Sequence, residues 1–401
     1  MKLSIGKKEE IVRERLNKAI HWMLNSGIQN HSHENQQISG GFNCWYDIER
    51  KEYPFIYAEI TGYAIETLLN LYYREKKDKY LERAVNAADW LITNMQYDGE
   101  DPTARGGFFW KRFPDGSLSR SLFAFDTGMC IIALVDLFYA TKKHEYLDSS
   151  TSAAKWLVDV MQNENGSFKA LYNLEDKSFK DAEEKWSRVP GSYHAKISIG
   201  LLKLNYVMED EKLKKSVNNL CNWVLKLQRP DGKIKNNENS EDIYIHAHCY
   251  ATEGLLYSSQ ELRNNEFKKA GLEGARWLVN AQNSKGGISR WHLNGNEFSS
   301  DENTEALAQT IRIWLIINTL YPQYDFFHPF IEKALDHLLD LQCLDSEDNK
   351  TKGGFYYAMM DNKIVPHINS CATFFSIQAL QMYLDWKGGD FSSSTFLQWL
   401  I

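Results

Sequence analysis

Cysteine is scarce and scattered. Six residues, at 44, 130, 221, 249, 343 and 371 of a 401-residue chain, form no CxxC pair and no regular framework. A disulfide scaffold is excluded, and a reduced, cytoplasmic protein is expected. No basic stripe is present and the net charge is −7, which excludes the phosphate-neutralising surface that nucleic-acid binding needs. No apolar run reaches the roughly 18 residues that span a membrane. The first residues, MKLSIGKKEEIVRERL, have no apolar stretch of the kind that marks a secretory signal.

Aromatic residues are abundant instead: 12 Trp, 21 Tyr and 20 Phe. Most are expected in the core, but rings with a polar edge also suit clefts that stack on sugar C–H faces.

The chain repeats itself. YAEITGYAIETLLNLYY…AADWLITNMQYDG (57–99) is followed by FAFDTGMCIIALVDLFY…AAKWLVDVMQNENGSF (123–168), and two further copies occupy 192–234 and 246–288. A fifth begins near Thr304 and ends at LLDLQCLD, and a sixth apolar segment runs from 367 to 384. Trp90, Trp156, Trp223 and Trp277, with His337 in the fifth copy, each precede a glutamine by five or six residues: Gln96, Gln162, Gln228, Gln282 and Gln342. A unit of about 60 residues is long for a solenoid repeat.

Each unit contains one segment apolar all round, as a helix buried on both sides requires, and one with a single wet face. Short polar linkers make the two antiparallel. The predicted fold is all-α: an (α/α)6 barrel, or toroid, of about six helical hairpins over residues 1–401 as one domain. The N-terminal segment EEIVRERLNKAIHWML, with Trp22, is expected to partner the sixth inner helix and close the ring. Gly-rich aromatic loops such as GGFNCWYD (40–47), ARGGFFWKRF (104–113) and KGGFYYA (352–358) lead back to the inner-helix starts, where a cleft is expected.

The Trp-to-Gln helices followed by DG, NG or GG and an aromatic resemble the repeats of the six-hairpin toroid superfamily: glycosidases, polysaccharide lyases and uronosyl epimerases. They are also distantly similar to terpene-cyclase and prenyltransferase toroids. The resemblance implies the fold firmly and the chemistry weakly, since one fold hosts many reactions. The acid motifs DxDD and DDxxD of the terpene branch are absent. HAHCYATEGL (246–255) resembles a zinc-holding segment of prenyltransferases, but Asp126 and Cys130 stand four apart and the D-x-C spacing is missing. No metal and no cofactor are expected.

Polar residues near the starts of apolar helices need a reason. Glu59, Asp126, His194, Lys196, His246, His248, Glu253, Glu302, Glu305 and His367 are such residues, and they come from all six units. Asp126 and Glu59 occupy similar places in adjacent units and are the expected carboxylate pair, with Glu305 next; paired carboxylates are the usual arrangement for glycoside hydrolysis. Asp126 could equally cap its helix. His194, His246 and His248 would serve proton abstraction in a lyase or epimerase, or else fill the core. His246 and His248, two apart, do not share a helix face.

Arg105, Arg188 and Arg290 are suited to carboxylates. Trp45, Tyr46, Phe109, Trp110, Trp186 and Trp291 are candidate stacking platforms, and Tyr63, Tyr193, Tyr250 and His367 complete the expected substrate contacts. The sequence therefore predicts a saccharide partner, a uronate-containing one among the candidates, no nucleic acid, and no membrane span, and leaves the oligomeric state open. A glycoside hydrolase-like enzyme working with a carboxylate pair is the expected function; a polysaccharide lyase or uronosyl epimerase using Tyr, His and Arg is the alternative, followed by an isoprenoid or zinc enzyme or a non-catalytic sugar-binding protein.

Overall fold

The computed structural model describes residues 5–31, 33–96, 101–180 and 186–389. Twelve helices run through them: α1 (Ile5–Asn25), α2 (Ala58–Glu75), α3 (Asp78–Thr93), α4 (Ala124–Thr141), α5 (His144–Trp156), α6 (Ile197–Met208), α7 (Glu211–Leu227), α8 (Ile245–Glu261), α9 (Asn265–Trp277), α10 (Thr304–Leu320), α11 (His328–Asp340) and α12 (Ser370–Gly388).

The even-numbered helices form an inner ring. α2 packs on α4, α4 on α6, α6 on α8, α8 on α10, α10 on α12, and α12 returns to α2. Each odd-numbered helix lies outside, with α1 against α12. The inner helices are buried along almost their whole length because both sides are covered. α4 is long and apolar enough by composition to cross a membrane, yet 72% of it is buried within the ring. Two residues suffice to turn α2 into α3, α4 into α5 and α6 into α7. Lys76, Lys142 and Glu209 make those turns in the left-handed region.

Each loop from an outer helix back to the inner ring is held by the same device. In six loops one glycine, Gly40 through Gly353, has φ between +96° and +102° and sits on the next outer helix. A Cβ at Gly40 would lie 2.1 Å from Asn86 O, and at Gly353 2.4 Å from Lys18 O. The glutamine that recurs from unit to unit secures the same seat. Gln228 Nε2 donates to Gly232 O and to Ala270 O of α9, and Gln342 Nε2 to Gly353 O and to Arg15 O of α1. Gln29 makes the equivalent bonds to Gly40 O and Arg83 O, which adds the first unit to the pattern. The outer-helix tryptophans fill the space behind: Trp22, Trp90 and Trp156 are at most 1% exposed, and their indole N–H groups donate to loop carbonyls. His337 stands in this place in the fifth unit and pairs with Glu302.

Short antiparallel strand pairs, absent from the sequence expectation, form a rim at the inner-helix starts. Residues 56–57 pair with 111–112, 121–123 with 171–173, 243–244 with 291–293, and 302–303 with 358–360. Residues 367–369 pair with 45–47, joining the last loop to the first. α6 is preceded by helical turns, at 186–188 and 192–196, where the other inner helices follow a strand.

Candidate active site

The rim encloses a bowl of about 370 Å³ at the N-terminal end of the inner ring. Its polar groups come from a shared register. The second residues of five inner helices, Glu59, Phe125, His246, Glu305 and Cys371, all line it. Asp126, third in α4, joins them. The residue before α4 is Phe123, so Asp126 lies inside the first turn and does not cap the helix. There the positive helix end favours its charge. The side-chain caps are instead Asn303 and Asn369, which accept from Glu305 N and Ala372 N.

Glu59 is held from below. Tyr63 O–H donates to Glu59 Oε1 at 3.0 Å, Tyr250 lies 3.4 Å from the same oxygen, and the two phenol oxygens are 2.9 Å apart. Beneath this floor lies a fully buried charge cluster: Glu253 accepts from Lys196 at 2.7 Å, Arg312 at 2.8 Å and Gln309 at 3.1 Å. The Lys196 ammonium sits 4.6 Å from the Tyr250 ring centre. Lys196 and Glu253, expected in the cleft, thus belong to the core below it, where the one carboxylate of Glu253 is shared by Lys196 and Arg312.

Glu305 and His246 are buried neighbours, with 3.6 Å between His246 Nε2 and Glu305 Oε2. Burial pushes the Glu305 carboxyl up to about 8, and repulsion from Glu59 adds to it, while Arg290 pulls the other way. Burial, then the Lys196 charge, pushes the His246 imidazole down to about 3. At neutral pH the pair is therefore a protonated carboxylic acid beside a neutral imidazole.

His246, Glu305 and Cys371 bring ligand atoms within 4.8 Å of one another. Nitrogen, oxygen and sulfur donors are a set zinc accepts. However, Lys196, Arg290 and Arg312 all act electrostatically on His246, and burial holds the Cys371 thiol well above its ordinary value. Glu305 and Glu59 also raise the Cys371 thiol, so charges of both signs act on the three groups.

The walls are aromatic. Trp45 stacks on His367 at 5.4 Å and 14°. Trp110 meets Tyr57 and Phe123 edge-on, and Trp186 lies on Tyr244. Trp45, Trp110, Trp186, Arg188, Tyr250, Arg290 and His367 all line the bowl.

Other expected site residues lie elsewhere. His248 faces outward: its Nδ1 accepts from Ile234 N–H and its Nε2 meets Gly274 O of α9. His194 is fully buried against Tyr193 and accepts from Gly191 N–H. Tyr193 O–H braces the 186–189 turn through Ser187 O and Val189 O. Tyr63 is buried under Glu59 as part of the floor and does not line the bowl. Tyr46 is buried and donates to Asp348 Oδ2, tying the first loop to the last. Trp291 packs behind Tyr244, Phe109 is buried, and Arg105 is exposed on its loop. Glu302 is taken by His337 and Asn283.

The residues that sequence reasoning missed, Tyr57, Phe123, Phe125, Tyr244, Tyr357 and Cys371 among them, sit just before or at the second place of an inner helix, or on or next to the rim strands. The register that selects Glu59 also selects them, except Tyr357, which lies one residue before the 358–360 strand.

No family model and no curated protein matches this sequence. Solved structures do match the fold. A cellobiose 2-epimerase from Bacillus thermoamylovorans is 14% identical with a TM-score of 0.78, covering 95% of this chain and 100% of its own. A D-mannose isomerase is 11% identical, TM-score 0.75, over 96% and 100%. An unsaturated glucuronyl hydrolase specific for heparin is 11% identical, TM-score 0.70, over 95% and 98%. All are (α/α)6 toroids.

This chain is an (α/α)6 toroid. The toroid places its bowl at the end where the inner helices begin, and lines it with carboxyls, two imidazoles and aromatic rings.

Proposed function

We propose that the bowl binds a saccharide and transforms it by proton transfer, with glycosidic-bond hydrolysis as the leading reaction. The observation that carries this reading is the convergence of Glu59, Asp126, Glu305 and His246, from α2, α4, α10 and α8, on one cavity walled by tryptophan and tyrosine. Glu305 keeps its proton at neutral pH and gives it to the leaving oxygen. Asp126, on the facing helices, activates water or attacks, and Glu59, held by two phenols, supports the developing positive charge. The solved structures of similar fold are named for reactions on sugars, in keeping with this class.

A second reading, epimerisation or isomerisation, is favoured by one feature: the neutral imidazole of His246 beside an undissociated acid, a base and an acid ready for proton exchange at a sugar carbon.

An oligosaccharide panel incubated in D2O separates the two. Hydrolysis liberates reducing ends; epimerisation puts deuterium on carbon without cleavage. Asp126→Asn should lower hydrolysis at least about 100-fold while leaving the helical circular dichroism unchanged. Near wild-type turnover by this variant would remove Asp126 from the chemistry.

A further inference from the structure

Arg290 is an unusual member of the bowl. It begins the strand-borne side of the rim and lines the cavity, yet no carboxylate lies within ion-pair distance of it among the described residues. Its bonds go to weak, uncharged acceptors: Nη1 to the Met360 thioether at 3.5 Å and Nη2 to Tyr357 O–H at 3.3 Å. Its Nε is buried and makes no hydrogen bond. The guanidinium carbon lies 5.7 and 5.6 Å from the centres of the Tyr244 and Tyr357 rings.

Among the described residues, the buried cations Lys196 and Arg312 share Glu253, and Lys203 meets Asp136 and Glu66, while Arg112, which does not line the bowl, donates to Gly116 O. The nearest acid of the bowl, Glu305, holds its proton to about 8 and so leaves the Arg290 charge standing at neutral pH. A half-buried guanidinium with donors to spare is a receptor for a planar anion. Arg188 lines the same bowl and adds a second positive charge without a carboxylate partner among the described residues.

We infer that the saccharide taken by this bowl is acidic, and that Arg290 holds its carboxylate through the fork of the guanidinium. This rests on the saccharide reading above and narrows it to uronic-acid-containing sugars. Arg290 is then a specificity-determining residue, and the carboxylate fixes which sugar ring lies over Glu305 and His246.

The test is direct binding, by calorimetry or saturation-transfer NMR, to matched pairs: a uronate disaccharide and its neutral carboxyl-reduced counterpart, for glucuronate, galacturonate and mannuronate series. Wild-type protein should bind at least one uronate tenfold or more tighter than its reduced counterpart. Arg290→Met should abolish that ratio, and Arg290→Lys should restore part of it, since a point charge lacks the fork. Thermal melts of both variants check that the ring is folded; if Arg290→Met does not fold, Arg290→Lys and the wild-type ratio decide alone.

Equal binding of acidic and neutral members overturns the inference and leaves the saccharide reading intact. Binding of no sugar from either set removes both. Protection by sulfate or phosphate at concentrations where acetate and glucuronate do nothing would assign Arg290 to a tetrahedral anion and overturn the carboxylate.

Discussion

A carboxyl buried beside a second carboxyl keeps its proton, and Glu305 is in that position. Its folded value of about 8 lies above the ordinary 4.5, so the native state binds the proton more tightly than the unfolded chain does. That stabilisation is complete below about pH 4.5 and is lost as the pH rises through about 8. Glu305→Gln, a neutral isostere, removes the dependence. Its melting temperature relative to wild type should therefore be higher at pH 9 than at pH 5. The same proton sets catalysis: the wild-type rate should fall above about pH 8, and Glu305→Gln should lose it for natural glycosides yet keep most of it for aryl glycosides whose leaving group needs no acid. A pH–rate limb unmoved by the variant would exclude Glu305 as the donor.

At this same scale the sequence was half legible. Polar residues at apolar helix starts pointed to Glu59, Asp126, His246 and Glu305, because a charge in such a segment must face water, a partner or a ligand. The pattern could not separate His246 from His248. The register does: His248 stands fourth in α8, where Thr61, Thr127 and Thr373 stand in α2, α4 and α12, and all four accept a loop N–H. A histidine doing a threonine's structural work reads, without coordinates, like a catalytic one.

At the scale of the element, the outer-helix tryptophan, the glutamine and the left-handed glycine form one fastening repeated round the ring. Trp and Gln were visible in the sequence because they recur at fixed spacing. The strands of the rim were not, because segments of two or three residues carry no alternation to detect. The glycine is the part with least tolerance. Alanine at Gly353 would carry both a φ of +98° and a Cβ 2.4 Å from Lys18 O, whereas Gly295, at φ +117°, has nothing within 4 Å. Strained backbone alone costs of order 1–3 kcal/mol. Gly353→Ala should therefore lower the denaturation midpoint clearly more than Gly295→Ala, and the difference between the two, read from urea melts, isolates the seat on α1. Equal losses would mean that the loop does not depend on close approach to that helix.

For the whole molecule the decisive question is whether the ring behaves as a closed object or as a curved solenoid whose ends happen to touch. In an open array each repeat leans only on its neighbours, and terminal units fray first. Here the ends are fastened several times over: Trp22 Nε1 donates to Lys350 O at 2.8 Å, Gln342 to Arg15 O, and Ser370 Oγ to Asn43 O, while residues 45–47 pair with 367–369. The bowl is built across this seam, since Trp45 comes from one side of it and His367 and Cys371 from the other. Closure and site are thus one structure. Trp22→Ala, which empties a fully buried indole and removes its bond, should cost about 3–5 kcal/mol. If the ring is closed, that loss lowers a single transition seen alike by far-ultraviolet dichroism and tryptophan fluorescence, and ligand binding disappears at the same denaturant concentration. A solenoid would instead release α1 and α12 early, shown by hydrogen exchange confined to those helices while α4 to α8 stay protected. The seam bonds favour the first outcome, because opening them exposes the wall of the bowl and the unsealed face of α12 together.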